Sequence, residues 1–113
     1  MTTDAETLTV FMLVRALPAW LALPPAERFA YLEANMRPLL VQHPAVKLRF
    51  YDAEFYDARV SDVFVWETRD QAAYRALIEG LRETLFWDHY FQIVDILPAI
   101  ENAYATHYGM TPL

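Results

Sequence analysis

The run Thr7-Leu8-Thr9-Val10-Phe11-Met12-Leu13-Val14-Arg15 constrains the fold more than any other segment. It is rich in β-formers and too short for a buried helix. Successive side chains of a strand point to opposite faces. Leu8, Val10, Met12 and Val14 make one face apolar, while Phe11 and Leu13 do the same for the other. A strand of this kind belongs at the centre of a sheet covered on both sides.

The elements that follow supply one of the two covers. Pro25 suits a first helical turn, and Glu27 complements the N-terminal dipole. Phe29, Leu32, Met36 and Leu39/Leu40 then repeat at helical spacing until Pro38 kinks or ends the helix near Arg37. Two strand-like runs, Val46 to Glu54 and Val60 to Thr68, are separated only by Phe55-Tyr56-Asp57-Ala58, which predicts an antiparallel hairpin. A second helix is expected from an N-cap at Asp70 to about Thr84, with Ala73, Leu77 and Leu81 inward. A last strand runs from Tyr90 to Leu97 and stops at Pro98, leaving residues 99–113 as a C-terminal arm.

Strand, helix, hairpin, helix, strand is the βαββαβ order of an α+β, ferredoxin-like fold, with two helices on one face of a four-stranded antiparallel sheet. The 113 residues fit a single domain, 1–113. The second face then needs its own cover. Leu48/Phe50 and Phe64/Trp66 are expected to enlarge the apolar surface of the first strand. A second copy packed sheet to sheet is the expected solution, and a sheet partly covered by the C-terminal arm is the alternative. An apolar fraction of 56%, with 3 Trp, 7 Tyr and 7 Phe, fits an interface, a ligand cavity or both.

Charge narrows the partners. Fifteen acidic against nine basic residues give a net charge of −6, without any basic run, which argues against nucleic acid and against anionic membrane surfaces. The acidic N-terminus lacks the pattern of a signal peptide, and Val10 to Val14 is too short to span a bilayer, so a cytoplasmic protein is expected. The absence of cysteine excludes disulfides, thiolate nucleophiles and zinc–thiolate sites. Gly80 and Gly109, the only glycines, cannot build a phosphate loop, and Ser61, the only serine, stands outside any nucleophile elbow.

The densest polar group is in the hairpin: Asp52, Glu54, Asp57, Arg59 and Asp62. Alternation puts Phe50, Asp52 and Glu54 on one face, while the side taken by Asp62 depends on a register that one residue of slip would invert. As a site, Asp52 or Glu54 would transfer protons at the mouth of a cavity lined by Phe50, Tyr51, Phe64 and Trp66. Arg59 or Arg15 would orient an anionic group. The same charges would equally serve as a salt-bridged hairpin tip that blunts an edge strand. Asp95 interrupts the apolar run Phe91 to Leu97, so it is expected either to pair, with Arg15 as the nearest candidate, or to face a cavity as a base. No metal site is expected: hard oxygen ligands are present without a histidine at ligand spacing or a calcium-loop pattern. His43, His89 and His107 fall in turns or the tail.

Several runs together resemble the darcynin family, a group of uncharacterised bacterial proteins. They are Trp20-Leu-Ala-Leu-Pro-Pro-Ala-Glu-Arg28, Arg49-Phe-Tyr-Asp-Ala-Glu-Phe-Tyr56 with Arg59-Val-Ser-Asp62, Leu81-Arg-Glu-Thr-Leu-Phe-Trp-Asp88, and Phe91 to Asn102. The resemblance covers nearly the whole chain and implies a bacterial source, but it supplies no site residues. More loosely, the element order resembles the dimeric α/β-barrel group, which contains cofactor-free monooxygenases, muconolactone isomerases and haem-dependent chlorite dismutases. That likeness is one of fold, and fold does not fix function. The residues are read as a homodimer that binds a small apolar or aromatic molecule and acts without a cofactor as a monooxygenase or isomerase; the alternative is a non-catalytic ligand-binding or protein-interaction dimer.

Overall fold

The computed structural model describes residues 6–113. The strands are β1 (Leu8–Ala16), β2 (Val46–Asp52), β3 (Asp62–Thr68) and β4 (Phe91–Ile100). The helices are α1 (Pro18–Leu21), α2 (Pro25–Asn35), α3 (Arg37–Gln42), α4 (Gln71–Arg82) and α5 (Ala103–His107). The strands form one antiparallel sheet in the order β2-β3-β1-β4, the ferredoxin-like arrangement, with the doubly apolar β1 inside it. Among the described residues, no helix is long and apolar enough to cross a membrane.

One face of the sheet carries the core. Val10, Met12 and Val14 of β1 and Phe64 and Trp66 of β3 meet Leu77 and Leu81 of α4, Met36 and Phe86. Asp70 caps α4 by accepting a hydrogen bond from the Ala73 N–H at 3.1 Å. A Cβ placed on Gly80 would lie 2.6 Å from Leu39 Cδ2, so glycine permits the close approach of α3 and α4. The helical run that begins at Pro25 breaks at Met36, one residue before the expected end, because Pro38 cannot continue the backbone ladder.

The other face is built from different residues than the sequence suggests. Leu48, Phe50, Phe64 and Trp66 all sit on the helix side, level with Val10 and Met12. The outward residues are Thr9, Phe11, Leu13 and Arg15 on β1, Val63, Val65 and Glu67 on β3, and Lys47, Arg49 and Tyr51 on β2. On β4 a bulge intervenes: Ile93 pairs with Val14 but Asp95 pairs with Leu13, leaving Val94 as the extra residue. The bulge reverses the alternation, so Asp95, Leu97 and Ala99 face outward although Phe91 and Ile93 face the helices.

The strand also continues through Pro98 to Ile100 rather than stopping. It is an edge strand, and proline's missing donor is tolerated there. Beyond it Asn102 adopts a left-handed conformation (φ 52°) and α5 begins. Tyr104, Tyr108, Met110 and Leu113 of this arm are exposed. The radius of gyration is 16.1 Å, against roughly 13 Å for a compact chain of this size.

Candidate functional site

The helix-side core opens at the end of the sheet nearest the β2–β3 loop. A cavity of about 300 Å³ lies there between the sheet and α1–α2, with aromatic walls that include Trp20, Phe50, Phe64, Phe86 and Phe91. The rings brace one another: Phe50 meets Phe64 edge-on at 5.0 Å, Phe64 meets Phe86 at 5.4 Å, and Phe86 stacks on Phe91 at 4.7 Å. Asp52, Glu54, Asp62 and Arg28 supply the polar side chains of the wall.

Asp62 is the unusual member. It faces inward beside Phe64, is only 7% exposed, and stands directly opposite Asp52 in the strand register. Ser61 Oγ donates to Asp62 Oδ2 at 2.7 Å while accepting the Ala16 N–H at 2.7 Å, which ties the carboxyl to the end of β1. Burial, a hydrogen bond with Asp52, and the negative charges of Glu54 and Asp52 outweigh the Ser61 hydrogen bond and push Asp62 up to about 6. The Asp62 carboxyl can thereby hold or release a proton near neutral pH.

Arg28, one turn into α2, is fixed by backbone carbonyls. Its Nε donates to Leu23 O at 2.9 Å and one terminal nitrogen donates to Leu21 O at 3.0 Å. Two of its donors are thus spent on orientation while the side chain borders the acidic cavity. The loop between the strands is shaped by Asp57, whose Oδ1 accepts the Arg59 and Val60 N–H groups at 2.8 Å each. Those two bonds hold the Asp57 carboxyl below its ordinary range.

Of the residues singled out from sequence, Phe50, Phe64, Asp52, Glu54 and Asp62 come together in this cavity. The others do not. Trp66 is fully buried in the core, and Tyr51 projects from the opposite face of the sheet. Arg59 is exposed in the loop and forms no ion pair among the described residues. Arg15 pairs with Gln92 across the ladder and faces outward. Asp95 also faces outward because of the bulge, and no ion pair joins it to Arg15 among the described residues. Sequence reasoning leaves the side of Asp62 undecided and misses Arg28 altogether. The register decides Asp62. Arg28 falls at helical spacing from Leu32, and that is the available signal.

The donor set does not fit a haem. None of His43, His89 and His107 lines this cavity, and its polar wall carries three carboxylates, which would repel a haem's propionates. Among the described residues, no group of three or more His, Asp or Glu side chains is placed to hold a metal ion.

Comparison with solved structures shows the fold shared at low identity. A chlorite dismutase variant from Candidatus Nitrospira defluvii superposes with a TM-score of 0.74 at 14% identity, covering 96% of this chain and 45% of that one. A heme-binding protein from Thermus thermophilus gives a TM-score of 0.74 at 12% identity with the same coverages. The chain therefore spans less than half the length of these structures. Sequence relatives are nearer. A darcynin homolog of Granulibacter bethesdensis is 56% identical over 103 residues, covering 90% of this chain and 83% of the relative. One from Streptomyces avermitilis is 50% identical over 106 residues, covering 93% and 88%. The family model described as "Darcynin, domain of unknown function" matches residues 2–113, and the chain belongs to that family.

Proposed function

We propose that this protein is a homodimer that binds a small, largely apolar or aromatic molecule in the helix-side cavity and transfers a proton on it without a cofactor. The observation that carries this reading is Asp62, a buried carboxyl pushed up to about 6 and set in an aromatic wall. A base that titrates near the working pH is efficient in both proton abstraction and return. In its ionised form Asp62 would take a proton from a carbon beside a carbonyl, or from a phenol. Arg28 would hold the oxygen on which negative charge develops. Asp52, hydrogen-bonded to Asp62, would receive or replace the proton. Return of the proton at a different carbon is an isomerisation. Capture of the carbanion by dioxygen would be the first step of a cofactor-free oxygenation, and the proton-transfer step is common to both. The homodimer is supported by the apolar outward face of the sheet, where Phe11, Leu13, Val63, Val65 and Leu97 cluster.

The test is deuterium wash-in from D2O into a panel of aromatic and alicyclic ketones and phenols, followed by proton NMR. The protein should catalyse exchange at an acidic C–H of at least one panel member. The rate should rise through pH 6, and Asp62→Asn should lower it at least about 100-fold. Bound panel members with no catalysed exchange, or exchange indifferent to Asp62→Asn, would refute proton transfer and leave a binding protein.

A further inference from the structure

The outward face of the sheet is charged asymmetrically. Its β2 edge presents Lys47 and Arg49, whereas its β4 edge presents Asp95 and, just past the strand, Glu101. Phe11, Leu13, Val63 and Val65 lie between them on the two central strands. Accepting the homodimer proposed above, two sheets can pack face to face about a two-fold axis running either along the strands or across them. An axis across the strands lays β2 on the partner's β2 and β4 on the partner's β4. Like charges then meet at both edges.

An axis along the strands lays β2 on the partner's β4 and β1 on the partner's β3. The ladders set the levels. Lys47 is level with Glu67, Thr9 and Ala99, and Arg49 is level with Val65, Phe11 and Leu97. Arg49 of one copy would therefore lie over Leu97 of the other, within one alternation of Asp95. Lys47 would lie over Ala99, within one alternation of Glu101. Arg15 and Glu67 sit at opposite ends of the strands and meet no like charge. We infer that this protein dimerises about an axis parallel to its strands, with Lys47 and Arg49 paired to Asp95 and Glu101 of the second copy. The pattern is isologous, as a closed two-fold dimer requires, and aligned sheets pack within about 30° of each other. The same axis sets the exposed arm that follows Ile100 beside the start of the partner's β2. A depression lined by Pro44, Ala45, Lys47 and Thr68 lies there.

Sedimentation equilibrium of the full chain and its variants tests the arrangement, with circular dichroism confirming the fold of each. Lys47→Glu with Arg49→Glu should weaken the dimer about tenfold or more, because each isologous interface loses every pair twice and gains repulsion. Adding Asp95→Lys and Glu101→Lys in the same chain should restore the affinity to within about threefold, since the pairs are re-formed with signs exchanged. A dimer unchanged by the double variant, or one weakened but not restored by the fourfold variant, would overturn the axis while leaving the dimer in place. A wild-type chain that sediments as a single copy at every concentration would overturn the dimer itself.

Discussion

Asp62 makes folding stability depend on pH in the sense opposite to an ordinary salt-bridged carboxylate. Its carboxyl is raised from 3.8 to about 6 in the folded chain. Between those values the folded state binds more protons than the unfolded state, so stability falls as pH rises. Below about pH 3.8 the group is protonated in both states and imposes no penalty. Above about pH 6 it is ionised in both, and the folded state carries the full cost. At about 1.4 kcal/mol per pH unit the cost approaches 3 kcal/mol. Solvent at the open mouth of the cavity screens it to about 1–2 kcal/mol. Asp62→Asn keeps the shape and leaves an amide to bond with Asp52 and Ser61, but it cannot ionise. The variant should equal the wild type near pH 4 and exceed it by about 1–2 kcal/mol at pH 8. Urea unfolding at fixed protein concentration, in paired buffers from about pH 4 to 8, measures the difference and cancels groups common to both chains. Parallel stability curves over that range would show that Asp62 does not titrate as its surroundings dictate. The mechanistic role given to it would fall with them.

Two further substitutions probe the scaffold. Leu77→Ala removes a fully buried side chain from the inward stripe of α4 and should cost about 2–5 kcal/mol in urea unfolding; a loss below about 1 kcal/mol would mean that the helix–sheet core is not packed around it. Asp70→Ala deletes the cap of the same helix and should cost about 1 kcal/mol, read as a lowered Tm, with an unchanged Tm counting against the cap.

Most of the architecture is legible in local patterning. The doubly apolar β1, the proline-punctuated helical run, the Asp70 cap and the stripe of α4 are encoded by neighbours in sequence. The sheet then follows from the few ways such elements connect. The failures occur where the side taken by a residue depends on a distant partner. Simple alternation from Phe91 and Ile93 puts Asp95 in the cavity. The bulge at Val94 turns it outward, and only the pairing with Leu13 and Val14 reveals that. Trp66 and Tyr51 share one cavity wall in the sequence reading but lie on opposite faces, because β2 and β3 register as Asp52 opposite Asp62. That register also brings Asp62 against Asp52, so the carboxyl left undecided by the sequence becomes the centre of the site. Arg28 is hidden for another reason: its orientation depends on the Leu21 and Leu23 carbonyls, which are bent toward it by the chain between α1 and α2.

The passage of β4 through Pro98 also governs what the sheet cannot become. An open sheet ends in unpaired N–H and C=O groups, and a further strand from another molecule can add to such an edge repeatedly. On β4, Pro98 offers no N–H and Val94 bends the strand, so an incoming chain would find no continuous row of donors and acceptors. Lateral growth into fibrils is disfavoured at that border by the backbone itself. In the dimer proposed above, association uses the broad face instead, where two copies would cover each other's apolar surface and the assembly would stop at a finite size.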